Sequence, residues 1–416
     1  MQTYSVAPGV KLFHLPFDHF KTVSIRLSFH QPLTAETATV NALLVEVLLR
    51  GSKTLPKTLE LNRYLEELYG ATVGGYVAKA GNDHQLSFSA SCIADEFVPE
   101  EGSLTEKTAR VLHDLVFDPL LINGNFSEEY IRQEQKSLKE SLLARINDKR
   151  SYALDRCTEE MFEGDTYAVS GGGDPDRVDG ITAADLMTAY RRMLNSPVTI
   201  FVTGRADIRP LIDLFSNLHP EDRPYPVGDL FAPRKDVKEV TERMDVAQGK
   251  LVMGFTTGIG AKDPRSVALT VANSVFGAGA HSKLFKNVRE KLSLAYYAYS
   301  RTDRYKGVMM VSAGIEFEQF EAARDEIMVQ LAAMQEGKVS EEELFSAKQA
   351  MIGALRGLRD NPAQYVAWVH GNVLTDTLTD IDERIAKIEA VTAAEVVEAF
   401  RDVRLQTVYF LAGKEA

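Results

Sequence analysis

Apolar and polar positions alternate through "TVSIRLSF" (22–29): Val23, Ile25, Leu27 and Phe29 fall on one side, Ser24, Arg26 and Ser28 on the other. That period predicts a half-buried strand. The period then changes. Val40, Leu43, Leu44, Val47 and Leu48 recur at helical spacing, and Gly51 stands just past the last of them as a stop. "TLELNRYLEELYGA" reads as helix to about Tyr69 and "HQLSFSASCIA" as extended chain. A long charged helix follows in "SEEYIRQEQKSLKESLLAR" (127–145). After it come a Gly-rich loop "SGGGDPD", a further helix and a strand "VTIFVTG".

The second half replays this order. "KLVMGFTTG" stands for the first strand, "RSVALTVANSVFGAG" for the glycine-stopped helix, and "GVMMVSAGI" for a later strand. The clearest match sets "ITAADLMTAYRRMLNSPVTIFVTG" (181–204) against "VTAAEVVEAFRDVRLQTVYFLAG" (391–413). Two copies at long period mean a duplicated domain, not a solenoid. Between them, "PEDRPYPVGDLFAPRKDVKEVTERM" has the proline and charge content of a linker. The expected organisation is a first domain over 1–219, a linker over 220–248 and a second domain over 249–416. Each half should be α+β, a mostly antiparallel sheet with helices packed on one face.

Composition narrows the function. A chain of 416 residues is too long for one ordinary core. A net charge of −12 argues against a nucleic-acid or anionic-membrane binder, both of which need a basic surface. Cys92 and Cys157 lie far apart without a CxxC, which predicts buried thiols in a reducing compartment. No signal-like N-terminus is visible, and no apolar run reaches the roughly 18–20 residues of a membrane helix. A cytoplasmic protein is expected.

Chemistry is harder to find. The eight histidines are His14, His19, His30, His84, His113, His219, His281 and His370. None forms HExxH, HxxEH or an i,i+4 pair, so the strongest signals of a catalytic zinc are absent. His14 and His19, near Pro16, are expected at the surface. "QGKL" (248–251) lacks the glycine and hydroxyl of a P-loop, and "SGGGD" (170–174) reads as a flexible loop rather than an anion cradle.

Three blocks resemble the M16 (pitrilysin or insulinase-type) zinc peptidases, in particular short bacterial members similar to mitochondrial processing peptidase subunits. They are "LLRGSKT", "DTYAVSGGGDPDRVDGITAADLMTAYRRML" and above all "FGAGAHSKLFKNVREKLSLAYYAYS". The resemblance spans nearly the whole chain and implies two α+β halves clasping a chamber. Active members carry HxxEH on the first helix, two zinc-binding histidines with a glutamate that polarises water, and a distal glutamate ligand. Anchored on Arg50-Gly51-Ser52, Ala42, Val45 and Glu46 occupy the H, E and H positions; slid by one, Glu46 becomes the base but Leu43 and Val47 replace the histidines. Glu140 matches the distal ligand, although a solvated helix charge explains it as well. Glu46 has Arg50 at i+4, an exposed pair worth a few tenths of a kcal/mol. No zinc is expected in this chain.

The resemblance also implies an arginine and a tyrosine, spaced R-x6-Y, that hold the substrate backbone and the developing oxyanion. Arg289 and Tyr296 match it, and no acid stands at i±3 or i±4 of Arg289. The expectation is therefore a non-catalytic subunit. It would bind an extended peptide at a sheet edge, as a heterodimer with an HxxEH-bearing M16 subunit that holds the zinc, or as a homodimer. The alternatives are a scaffold subunit resembling the core subunits of the cytochrome bc1 complex, and a zinc peptidase with atypical ligands.

Overall fold

The computed structural model describes residues 1–99 and 102–414. The chain divides into two units, Met1–Ala144 with Val169–Val227, and Arg145–Ala168 with Gly228–Ala416.

The first unit holds strands β1 (Gln2–Ala7), β2 (Val10–Leu15), β3 (Thr22–Pro32), β4 (Thr72–Ala80), β5 (Asp83–Ile93) and β6 (Val198–Thr203), ordered β1-β2-β6-β3-β5-β4. β2 and β6 run parallel; the other pairings are antiparallel. Its helices are α1 (Ala38–Leu48), α2 (Thr58–Glu67), α3 (Leu104–Phe117) and α4 (Glu128–Ala144). Beyond α5 (Lys149–Met161), which belongs to the other unit, come α6 (Pro175–Val178), α7 (Ala183–Leu194) and α8 (Arg209–Phe215). The alternation of β3 is realised: Val23, Ile25, Leu27 and Phe29 are buried in the core. On its other face hydroxyls pair across the ladder, Ser24 with Ser91 at 3.1 Å and Ser28 with Ser87 at 2.8 Å. A slip of one residue would exchange these faces, so the pattern fixes the register.

The second unit holds β7 (Lys238–Met244), β8 (Gly249–Thr256), β9 (Tyr297–Asp303), β10 (Val308–Ile315) and β11 (Arg404–Gly413), ordered β7-β11-β8-β10-β9. Its further helices are α9 (Ser266–Phe276), α10 (Phe320–Gln335), α11 (Glu341–Gly357), α12 (Pro362–Leu374), α13 (Ile381–Ala390) and α14 (Ala393–Phe400). Strands β8 to β11 take the places of β3 to β6, and β7, parallel to β11, takes that of β2. The matched segments even start alike, with capping boxes at Thr182/Asp185 and Thr392/Glu395.

Several expectations meet different facts. Residues 145–168, placed by sequence in the first domain, cluster with the second unit. The cause is the apolar stripe of α5: Ala153, Leu154, Cys157 and Met161 bury against Val252, Val308, Met310, Tyr409 and Leu411. Gly254 admits it, since a Cβ there would stand 2.6 Å from the Met161 sulfur. Within the stretch read as linker, residues 238–244 pair in parallel with β11 and Phe231 joins the α5 core. The loop at 170–174 is held rather than flexible. His84 bonds the Gly171 carbonyl at 2.9 Å, and Gly173, at φ +92°, lies so close to Thr39 that a Cβ would clash. His14 is buried rather than on the surface, because β2 lies inside the sheet and its Nε2 reaches Gly204 O at 3.1 Å. Cys92 and Cys157 are buried free thiols. Among the described residues no helix is long and apolar enough to cross a membrane.

Candidate functional site

Helix α1 is apolar on almost every side, and such a helix is buried all round. Ala42, Leu43, Leu44, Val45, Val47 and Leu48 each expose 4% or less. The motif positions Ala42 and Val45 are therefore closed off from solvent. Edge strand β4 lies over the helix, and the bare backbone of Gly75 makes the room: a Cβ there would stand 2.6 Å from Val45 Cγ1.

Glu46 is the one half-buried carboxylate of α1. Burial, and then the charge of Glu134, raise it above the ordinary carboxylate range. The expected pair with Arg50 is not formed. α1 ends at Leu48, so Arg50 leaves the helical path, and its guanidinium instead meets Gln133 and Glu134 (3.3 Å) over the Tyr130 ring. Glu134, missed by the sequence reading, sits on the buried stripe of α4 with Ile131 and Leu142. Burial raises its pKa while Arg50 lowers it. A carboxylate at core spacing was the available signal. Glu140 lies exposed on the same helix, and Glu134 is the carboxylate whose charge acts on Glu46.

A zinc ion needs at least three protein donors of nitrogen, sulfur or oxygen. The motif positions offer a methyl group, an isopropyl group and one carboxylate. Among the described residues no group of three or more His, Cys, Asp or Glu could hold a metal. These residues do not fit the ion.

The other candidates stand together. Arg289 lies on a π-helical segment, Leu284–Lys291, a form of helix frequent at functional sites. Its guanidinium stacks over Phe285 at 4.5 Å, and Nε lies 3.7 Å from Glu290. The chain then turns through Ser293 at φ +51°, strained for a residue with a side chain, and reaches Tyr296, the residue before edge strand β9. Tyr296 is 57% exposed. Its N–H donates to Gly314 O at 2.8 Å and its phenol donates to Glu316. That bond and the charge of Glu316 raise the phenol pKa. Arg289, Tyr296, Glu290, Ser293 and Glu316 line a depression of about 410 Å³. The first copy also leaves its helix through a residue at positive φ, Tyr69 at +58°.

Fold and site together define a two-sheet peptidase-like chain whose motif positions hold two aliphatic side chains and a single carboxylate. Comparison with known proteins agrees. The family described as "Peptidase M16 inactive domain" matches residues 180–351. The "Probable inactive metalloprotease YmfF" of Bacillus subtilis (strain 168) is 35% identical over 413 residues, covering 96% of this chain and 94% of the relative. A conserved protein from Enterococcus faecalis V583 superposes with a TM-score of 0.91 at 30% identity, over 100% of this chain and 99% of its own. An M16 inactive domain from Pseudomonas fluorescens shares the fold, with a TM-score of 0.80 at 17% identity over 99% and 98% of the two chains. The chain belongs to the M16 peptidase family, as an inactive-type homologue of its metalloproteases.

Proposed function

We propose that the chain is a non-catalytic peptide-binding subunit. It pairs with an HxxEH-bearing M16 subunit and lends Arg289 and Tyr296 to the peptide held at that partner's zinc. The observation that carries this reading is an asymmetry. The motif helix has been repacked as core around Val45 and Gly75, while Arg289 and Tyr296 stay exposed around one depression. An arginine fork beside a phenol suits the polar groups of a peptide main chain. The peptide would add to a sheet edge, taking affinity from main-chain hydrogen bonds.

The test is co-expression with the HxxEH-bearing neighbour. Arg289→Ala and Tyr296→Phe should each cut peptidase activity while native mass shows the complex intact. Unchanged activity would favour a scaffold instead. Zinc-dependent turnover by the isolated chain, lost in Glu46→Gln, would refute the reading, as would a stable homodimer that ignores the partner.

A further inference from the structure

The Tyr296–Glu316 contact decides which half of a peptide group Tyr296 can take. A phenol has a single proton, and here it is donated to a carboxylate, which as an ion only accepts. Bonds of this charge-assisted kind are among the stronger ones, so the proton is not readily surrendered. What the phenol oxygen still offers to the depression is its lone pairs. The sheet holds both partners in place. Tyr296 N–H is fixed to Gly314 O at 2.8 Å, and Glu316 follows β10 directly, one residue beyond Ile315. Arg289 has the opposite character: a guanidinium only donates, and its Nη groups have no hydrogen-bond partner among the described residues.

We propose that Glu316 is a positioning residue that makes Tyr296 a hydrogen-bond acceptor, so that Arg289 and Tyr296 together read one C=O and one N–H of an extended main chain. This rests on the peptide-binding reading and sharpens it. Tyr296 holds the backbone through a peptide N–H rather than donating to a developing oxyanion. A ligand bearing only carbonyl groups would engage half of the site.

The test uses the isolated full chain and a fluorescein-labelled alternating Thr–Val peptide with lysines at its ends, read by anisotropy. Each amide is replaced in turn by an ester, which deletes one N–H. In the wild type, one replacement should weaken binding by about fivefold, the size of a single hydrogen bond. That penalty should vanish in Tyr296→Phe and shrink in Glu316→Ala, which removes the acceptor and leaves the phenol proton free to turn toward the ligand. Both side chains are exposed, and circular dichroism checks that the variants fold. If the wild type binds but every ester penalty survives in Tyr296→Phe, the acceptor role is wrong and the peptide-binding reading stands. If the wild type does not bind the probe, both fall.

Discussion

His84 should make the first unit acid-sensitive. It is wholly buried on β5 and joins α1 to the loop at 170–174. Gly171 O can only accept, so Nε2 carries the proton, and Nδ1 accepts from the Asn41 amide at 3.1 Å. Asn41 in turn bonds Gln31 (3.1 Å) and Arg192 (3.0 Å). Burial, with Arg192 and Lys79 adding to it against the Gly171 bond and Asp83, lowers the imidazole pKa to about 4 from 6.5. A histidine depressed in the folded state stabilises fully above the unfolded value, and this is lost as pH falls from about 6.5 toward 4. Between pH 7 and pH 5 the loss is about 2 kcal/mol, roughly twentyfold in protection. The assay is hydrogen exchange of the α1 amides, corrected for the intrinsic pH effect, in wild type and in His84→Gln. Glu46 and Glu134, held above the ordinary carboxylate range, respond to acid with the opposite sign, so the difference between the two proteins is the quantity to follow. Wild type should lose its advantage over the variant on acidification. An equal pH response in both proteins would refute the reasoning.

Three further outcomes follow from packing and pairing. Gly75→Ala should cost about 1–3 kcal/mol by overpacking, and Val45→Ala in the same chain should recover part of it, a coupling readable from denaturant midpoints. Val45→Glu would bury an unpaired carboxyl under β4 and cost about 3 kcal/mol or more at neutral pH, with the deficit shrinking as acid protonates it; a denaturant midpoint equal to wild type would count against the packing described. Glu242 accepts from Tyr152, Tyr409 and Arg156, so Glu242→Ala should destabilise the second unit by about 1–3 kcal/mol. Fluorescence of Trp368, the single tryptophan, would report that loss as a lower melting temperature.

The sequence by itself determined the local elements and the duplication, and the R-x6-Y spacing marked Arg289 and Tyr296 as candidates. Periods of two and 3.6 are local properties that the chain writes out in order, and β3 and α1 appear where those signals stand. It also determined that two imidazoles are missing from α1, because identity alone decides whether a nitrogen donor exists. Tertiary structure decided what fills the gap. Whether Val45 faces solvent or Gly75 depends on where an edge strand some thirty residues away comes to lie, and periodicity carries no distance between elements. The same limit hid the membership of α5, whose buried stripe has the same appearance whichever sheet it covers. It turned Arg50 from Glu46 to Glu134, since i,i+4 pairing presumes a helix that had already ended. And it gave Tyr296 a carboxylate partner twenty residues on, set by the β9–β10 register, which no local spacing encodes.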